Sequence, residues 1–416
     1  CFKGIGFMKL IPVRKDLYEE YRLTLMFDCY KWDPQFLDHN TVARYALALT
    51  REEHEELMGL TEALDRETRA AELFLNTHPK IARPLELPGS MRREICSMGD
   101  YDPDKHIRLM RYDFHPVEEG GWAVSEVNSD VPGGFAEASL MPETAVRFLD
   151  GEGNYWHKDF GDILAGAIQE KTPSGGRIML VHCTCYSDDR QVMQFLGDRL
   201  AERGFHVIYG AADHLRFRDR QAYSILDGNE GKIDAIVRFT PLEWLTEMKP
   251  KRWQGYFDTL TVSCNHPAAI YAQTKRFPLV WEALEKNGIS MSVWRELLPD
   301  TAEVKAAAGK EEYIFKPAYG RVGEKIAIRE ACGEEEYQKI LKDVRRHPKR
   351  YLAQKRFHSR PLLGGNGEKF HICLGSYTVN GKHAGYYARL SETPRIDSNA
   401  ADLPVLIEGR ELLHDR

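Results

Sequence analysis

The 416-residue sequence has no long apolar run, no excess of basic charge and no paired CxxC motif. The first absence excludes a membrane-spanning helix, which needs about 20 mostly apolar residues in a row. Lysine and arginine number 57 against 63 acids, a net charge of −6, so no electropositive field of the kind that holds nucleic acid is present. The eight cysteines are scattered. Structural zinc wants closer paired thiolates, and Cys183-Thr184-Cys185 reads as buried free thiols on or just after an apolar strand. Reduced cysteines, and a first stretch "CFKGIGFMKL" without the basic-then-apolar pattern of a signal peptide, point to the cytoplasm. The chain opens at Cys1, which leaves a trimmed terminus or a natural start at Met8. Also missing are a GxSxG nucleophile elbow and a GxxxxGK[ST] phosphate loop.

What is there is an ordinary globular balance, 43 % hydrophobic and 29 % charged, in a chain long enough for two or three domains. Residues 1–100 read as mostly helical. "VARYALALTREEHEELMGLTEALDRETRAAELFLNT" carries apolar residues at helical spacing, and the helical reading runs from 15 to 78. Residues 101–170 hold an acidic hairpin and a following helix. Residues 171–260 alternate strand, helix and strand: "GRIMLVHCTC", "DRQVMQFLGDRLAERG", "FHVIYG" and "DAIVRF" make a parallel βαβ lobe. Residues 261–416 are mostly strands and turns with one charged helix, "EEEYQKILKDVRR", and an Asn-Gly hairpin in "TVNGKHAGYYARL". The fold class is therefore α/β with α+β elements.

Two stretches carry chemistry. "RYDFHPVEEGGWAVSEVNSD" (111–130) reads as two strands around a turn, with Asp113 on the first arm. On the second arm Glu126, Asn128 and Asp130 stand two apart and so share a face. Carboxylate and amide oxygens in a row suit Mg²⁺, and Arg111 beside Asp113 suits a phosphate oxygen. A solvated edge strand would look similar. In "IFKPAYGRVGEKIAI" (314–328) a strand ends at Lys316, a loop with Gly320 and Gly323 follows, and a second strand returns. Such a hairpin could fold over a nucleotide as a lid, or be a plain turn. Asp188 and Asp189 follow a strand at the sheet end where ligands bind, but suit the first turn of a helix better.

The order of these signals resembles the ATP-grasp ligases of the glutathionylspermidine synthase family. Its "R-x-D-F … E-x-N-x-D" metal motif is matched by Arg111 to Phe114 and Glu126 to Asp130. Its "K-P-x-x-G-R-x-G" phosphate lid is matched by Lys316 to Gly323, including Arg321. Its "P-x-E-W" is matched by Pro241 to Trp244, and its "N-K … L-W" loosely by Asn265, Lys275 and Leu279 to Trp281. The late glycine-rich strand pattern is matched by Gly375 to Val379, Gly381, Ala384-Gly385 and Arg389. The resemblance covers about residues 10–408 and leaves no length for the amidase domain of bifunctional members.

The resemblance implies an ATP-grasp fold, with the parallel lobe preceding the nucleotide-binding lobe. It implies ATP and Mg²⁺, with Asp113, Glu126 and Asn128 holding the metal. Lys275, Lys316, Gly320, Arg321, Gly323, Gln354 and Lys355 would contact the nucleotide. Arg111 and Arg389 would steady the transferred phosphoryl group. The implied activity is a carboxylate–amine ligase working through an acyl phosphate, on a small-molecule or peptide carboxylate and an amine. A phosphotransferase on the same fold and an inactive nucleotide-binding scaffold are the alternatives. After the metal motif come Val131, Pro132, Gly133 and Gly134, where glutathione-handling members place small hydroxyl residues. The expected acid is therefore not glutathione.

Overall fold

The computed structural model describes residues 7–98, 101–151, 153–307, 310, 312–320, 323, 325–329 and 331–410. Along the chain, strand β1 (Lys9–Pro12) and helix α1 (Tyr18–Asp28) precede β2 (Tyr45–Leu49) and the long helix α2 (Arg51–Thr77). The hairpin β3 (Leu109–Pro116) and β4 (Trp122–Asn128) leads to α3 (Phe160–Lys171). Then come β5 (Arg177–Val181), α4 (Ser187–Glu202), β6 (His206–Gly210), β7 (Ala235–Arg238) and β8 (Val262–Cys264). The last part holds β9 (Tyr313–Pro317), α5 (Glu334–Arg346), β10 (Tyr351–Lys355), β11 (Lys369–Val379), β12 (Lys382–Ser391), β13 (Ala401–Leu403) and β14 (Val405–Glu408).

The βαβ expectation is met. Strands β8-β7-β5-β6 form a sheet in that order, with all three pairings parallel. The central sheet is antiparallel, in the order β13-β12-β11-β3-β4. It joins the acidic hairpin directly to strands from the far end of the sequence. The Asn380-Gly381 turn between β11 and β12 has positive φ at both residues, 50° and 83°, as a tight hairpin turn of matching twist requires.

The helical reading of residues 15–78 fails at two places. Gln35–Phe36 and His39–Asn40 make a small hairpin, and Tyr45–Leu49 is a strand. Residues 46 to 49 are all buried, so the run "ALAL" has no polar face to betray its period of two. It lies between β1 and β14. The helix begins one residue later for a local reason: Thr50 accepts from the Glu53 amide (3.2 Å) while Glu53 accepts from the Thr50 amide (3.0 Å). Such a cap stabilises a helix by about 1 kcal/mol. Helix α2 lies against the central sheet through Thr61, which donates to Ser376 (2.8 Å), and Asp65, which accepts from Tyr112 (3.2 Å) and Thr378 (3.1 Å).

Two further expectations are corrected. The strand expected after the Gly320–Gly323 loop does not form: Lys325 to Ile328 carry no strand, and only the Ala327 amide reaches the free edge of β9, at the Phe315 carbonyl (3.1 Å). Strand β9 pairs instead with β10. The Cys183–Cys185 pair is not buried, because β5 ends at Val181 and both residues fall in the turn before α4; Cys185 is exposed. All the described cysteines are free. Among the described residues, no helix is long and apolar enough to cross a membrane.

Candidate functional site

A cavity of about 630 Å³ lies where the central sheet, the parallel lobe and the β9 region meet. One end is built on the acidic hairpin. Cross-strand register sets Asp113 opposite Glu126 and Arg111 opposite Asn128, and a register shift follows Asp113. Arg111 grips Asp113 with two bonds, Nε to Oδ1 (2.8 Å) and Nη2 to Oδ2 (3.0 Å), and donates from Nη1 to the Gly133 carbonyl (3.1 Å). Asn128 donates from Nδ2 to Asp113 Oδ2 (3.1 Å). On the neighbouring strand, Gly375 faces Asp113; a Cβ there would press on the Arg111 side chain at 2.7 Å, so only glycine leaves room for that arginine.

Cations from two other segments close this end. Lys275 Nζ is 2.5 Å from Glu126 and donates to the Gly320 carbonyl (2.7 Å), so one lysine ties the hairpin to the glycine loop. Lys316 is buried on β9 and lines the same cavity. Burial first, then the nearby Lys275 charge, lower its pKa to about 8, against the pull of Glu126. At Asp113 burial and the Glu126 charge push the carboxyl up despite Arg111. At Glu126 the burial penalty is outweighed by Lys275, Lys316 and Arg111, and the carboxyl is held below its usual range.

Arg389 on β12 faces the same space. It donates to the carbonyls of Asp397 (2.6 Å) and Ala400 (3.2 Å), and its Nε lies 3.9 Å from Asp402. Gly320 and Gly323 line the cavity; Gly323 has a φ of 64°, and a Cβ there would collide with the Ile396 carbonyl, so this loop rests on the segment after β12. Arg321 lies outside the described residues.

The structure thus brings together Arg111, Asp113, Glu126, Asn128, Lys275, Lys316, Gly320, Gly323 and Arg389. It does not bring Gln354 and Lys355 into the lining. Gln354 is buried on β10 and donates to Thr301 (3.1 Å), and Lys355 is exposed. The wall near them is made of Ile314, Ile328 and Phe357. Asp130 also leaves the expected row: β4 ends at Asn128, and beyond it Asp130 turns to the parallel lobe. There it accepts from Arg238 (2.6 Å) and from the Leu242 amide (2.8 Å). Asn265 ties that lobe to the hairpin, donating to the Ser129 carbonyl (2.8 Å) and accepting from the Leu109 amide (2.7 Å).

The other end of the cavity is acidic, and sequence reasoning missed most of it. Lys31, almost fully buried, lies 2.6 Å from Asp33, 2.6 Å from Asp402 and 3.4 Å from Glu137. Burial, opposed by Lys31 and aided by Asp402 and Asp33, lifts Glu137 to about 7. Asp188 and Asp189 sit in the first turn of α4, as one sequence reading expects, and they also line the cavity. Lys31 and Asp402 stand near opposite ends of the chain, and no motif spacing connects them. Among the described residues, no group of three or more His, Cys, Asp or Glu side chains is arranged to hold a metal ion. The expected metal set is instead two carboxylates and an amide.

The family model described as glutathionylspermidine synthase preATP-grasp matches residues 24–408. A comparison with curated proteins finds no match. Among solved structures, a glutathione synthetase-like effector from Globodera pallida in its apo form shares 12 % identity at a TM-score of 0.60, over 94 % of this chain and 97 % of that one. A gamma-glutamylcysteine synthetase-like protein from Methylobacillus flagellatus shares 15 % identity over 83 % of this chain and 88 % of that one, at a TM-score of 0.44. The first of these likenesses shows a shared fold.

Proposed function

The chain belongs to the glutathionylspermidine synthase preATP-grasp family, and from that premise we propose that it is an ATP-dependent carboxylate–amine ligase. The observation that carries the reading is the convergence of Arg111, Lys275, Lys316 and Arg389 on one cavity with Asp113, Glu126 and Asn128. A substrate carboxylate would take the terminal phosphoryl group of ATP, and an amine would then displace phosphate from the acyl carbon. Both reactants of the first step are anionic, so attack needs a neutralising field. Lys275 and Lys316 supply it from the β9 side. Arg111 and Arg389, on two strands of the central sheet, supply it where the transferred group would sit. The slot of Ile314, Ile328 and Phe357 offers apolar faces for a planar base.

The oxygen donors fit a hard divalent cation. Asp113 and Glu126 are paired across the hairpin, and Asn128, with its Nδ2 given to Asp113, keeps its oxygen for a metal. These three residues would hold Mg²⁺, which when bound would screen phosphate charge. Lys275 would then exchange Glu126 for a phosphate, and its bond to the Gly320 carbonyl gives the glycine loop a means of following. Closure of that loop would keep water from a hydrolysable acyl phosphate. Val131, Gly133 and Gly134 line the cavity without side-chain donors, which supports an acid other than glutathione.

The test is ADP release with Mg·ATP, amino acids and short peptides, each with and without polyamines and amino-acid amines. ADP that needs both an acid and an amine, with a product mass equal to their sum less water, is the expected result. ADP at full rate with acid alone would replace the ligase by a phosphotransferase. Neither ADP nor a thermal shift with Mg·ATP would overturn the nucleotide site.

A further inference from the structure

The proposed chemistry uses no thiol, yet two thiols stand in contact beside the cavity. The turn from β5 to α4 carries Cys183 and Cys185 with their sulfurs 4.0 Å apart. Cys185 is exposed and Cys183 half-buried. The turn is wired to the cavity wall. The Cys183 amide donates to Asp189 (3.3 Å), and the Tyr186 amide donates to the Cys183 carbonyl (3.0 Å). Asp188, Asp189 and Gln191 of the following helix line the cavity, and Gln191 reaches Glu137 (3.4 Å).

We propose that Cys183 and Cys185 are a redox modification site, closing to a reversible disulfide with a low-molecular-weight disulfide as oxidant and shifting the first turn of α4. The exchange balances. Cys185, the open sulfur, attacks one sulfur of oxidised glutathione as thiolate and expels glutathione thiolate. Cys183 then attacks Cys185 Sγ in the mixed disulfide, and a second glutathione leaves with the Cys183 proton. Two thiols are oxidised and one disulfide is reduced. Burial, the hydrogen bond with Cys185, and the Cys185 and Asp189 charges push the Cys183 thiol up to about 11. In the mixed disulfide the Cys185 contributions vanish while burial and the Asp189 charge remain, and the second step is favoured by the 4.0 Å approach of the two sulfurs. Bonding requires the sulfurs to approach by about 2 Å. The Cys183 amide, on one side of that residue, holds Asp189, and its carbonyl, on the other, holds the Tyr186 amide, so the closure is transmitted to the acidic wall.

The experiment uses the full chain equilibrated with glutathione at graded oxidised-to-reduced ratios, quenched with acid, alkylated and mapped by mass. The peptide holding both cysteines should lose two hydrogens, resist alkylation and recover with dithiothreitol. Cys183→Ser should stop at a glutathione adduct on Cys185. Hydrogen exchange over residues 186–192 should differ between the oxidised and reduced forms. Alkylation of both thiols at every ratio would overturn the site, and identical exchange would overturn its coupling to the cavity. Neither readout requires ligase turnover.

Discussion

Alternation along β4 puts Asp130 on the same face as Glu126 and Asn128, and the structure removes it. Its side chain is 1 % exposed and that of Arg238 2 %, with 2.6 Å between them. Asp130 also accepts the Leu242 amide, while Arg238 donates to the Thr240 carbonyl (2.7 Å). Asp130→Asn removes the charge that balances a buried guanidinium and turns an amide donor toward one of two donors. Breaking one partner of such a pair costs about 3–5 kcal/mol, most of it the penalty of the uncompensated charge left behind. Urea unfolding followed by the fluorescence of the buried Trp253, Trp281 and Trp294 should show that loss. Arg238→Met on top of Asp130→Asn should restore much of it, since removing both charges removes the penalty. If Asp130→Asn were as stable as the parent but lost its thermal shift with Mg·ATP, the structural assignment would be wrong, and Asp130 would return to the metal face.

Asp113→Asn combined with Glu126→Gln should abolish the thermal shift produced by Mg·ATP while leaving a cooperative unfolding transition; a retained shift would remove these residues from the nucleotide site. ATP affinity should fall by up to about tenfold per pH unit as pH rises through about 8, where free Lys316 loses its charge. Calorimetric titration should show that slope flattened in Lys316→Arg. Burial holds His54 and His106 at about 4 and His115 at about 3. The unfolded chain therefore binds protons that the native state refuses below about pH 6.5, so stability rises with pH across that window and drops as pH falls through it. Each of the three should cost about 2 kcal/mol by about pH 5, readable as a falling urea midpoint.

The legible parts of the fold were those whose signal is local. The β5–α4–β6 unit declared itself by a change of period, and the Asn380-Gly381 turn by its dipeptide. The oxygen donors of the hairpin were readable because alternation fixes a face while the strand lasts; Asp130 was misread because nothing local says that β4 stops at Asn128. Tyr45–Leu49 was misread because burial on both sides erases alternation. A return strand is expected after Gly323 from the strand–loop–strand pattern, but β9 takes β10 as its partner, and from Lys325 to Ile328 only the Ala327 amide reaches its other edge. The acidic end of the cavity was illegible for a different reason: Lys31, Glu137 and Asp402 meet only after the chain has folded back across its whole length.

That closure bears on how the molecule is made. Strand β3 carries Asp113, yet its partner β11 and the Arg389 strand are made long after it, more than 250 residues further along the chain. Strand β14, later still, inserts alongside β2. A nascent chain lacking these segments would present the open edge of β3 and the apolar inner surface of α2 to solvent. Non-local pairing of this kind slows folding and favours association of incomplete chains. Chains cut short before β11 should therefore be substrates for chaperones and proteases rather than partial enzymes, because Arg389, Asp402 and the strand that backs the acidic hairpin all come from the segments that are missing.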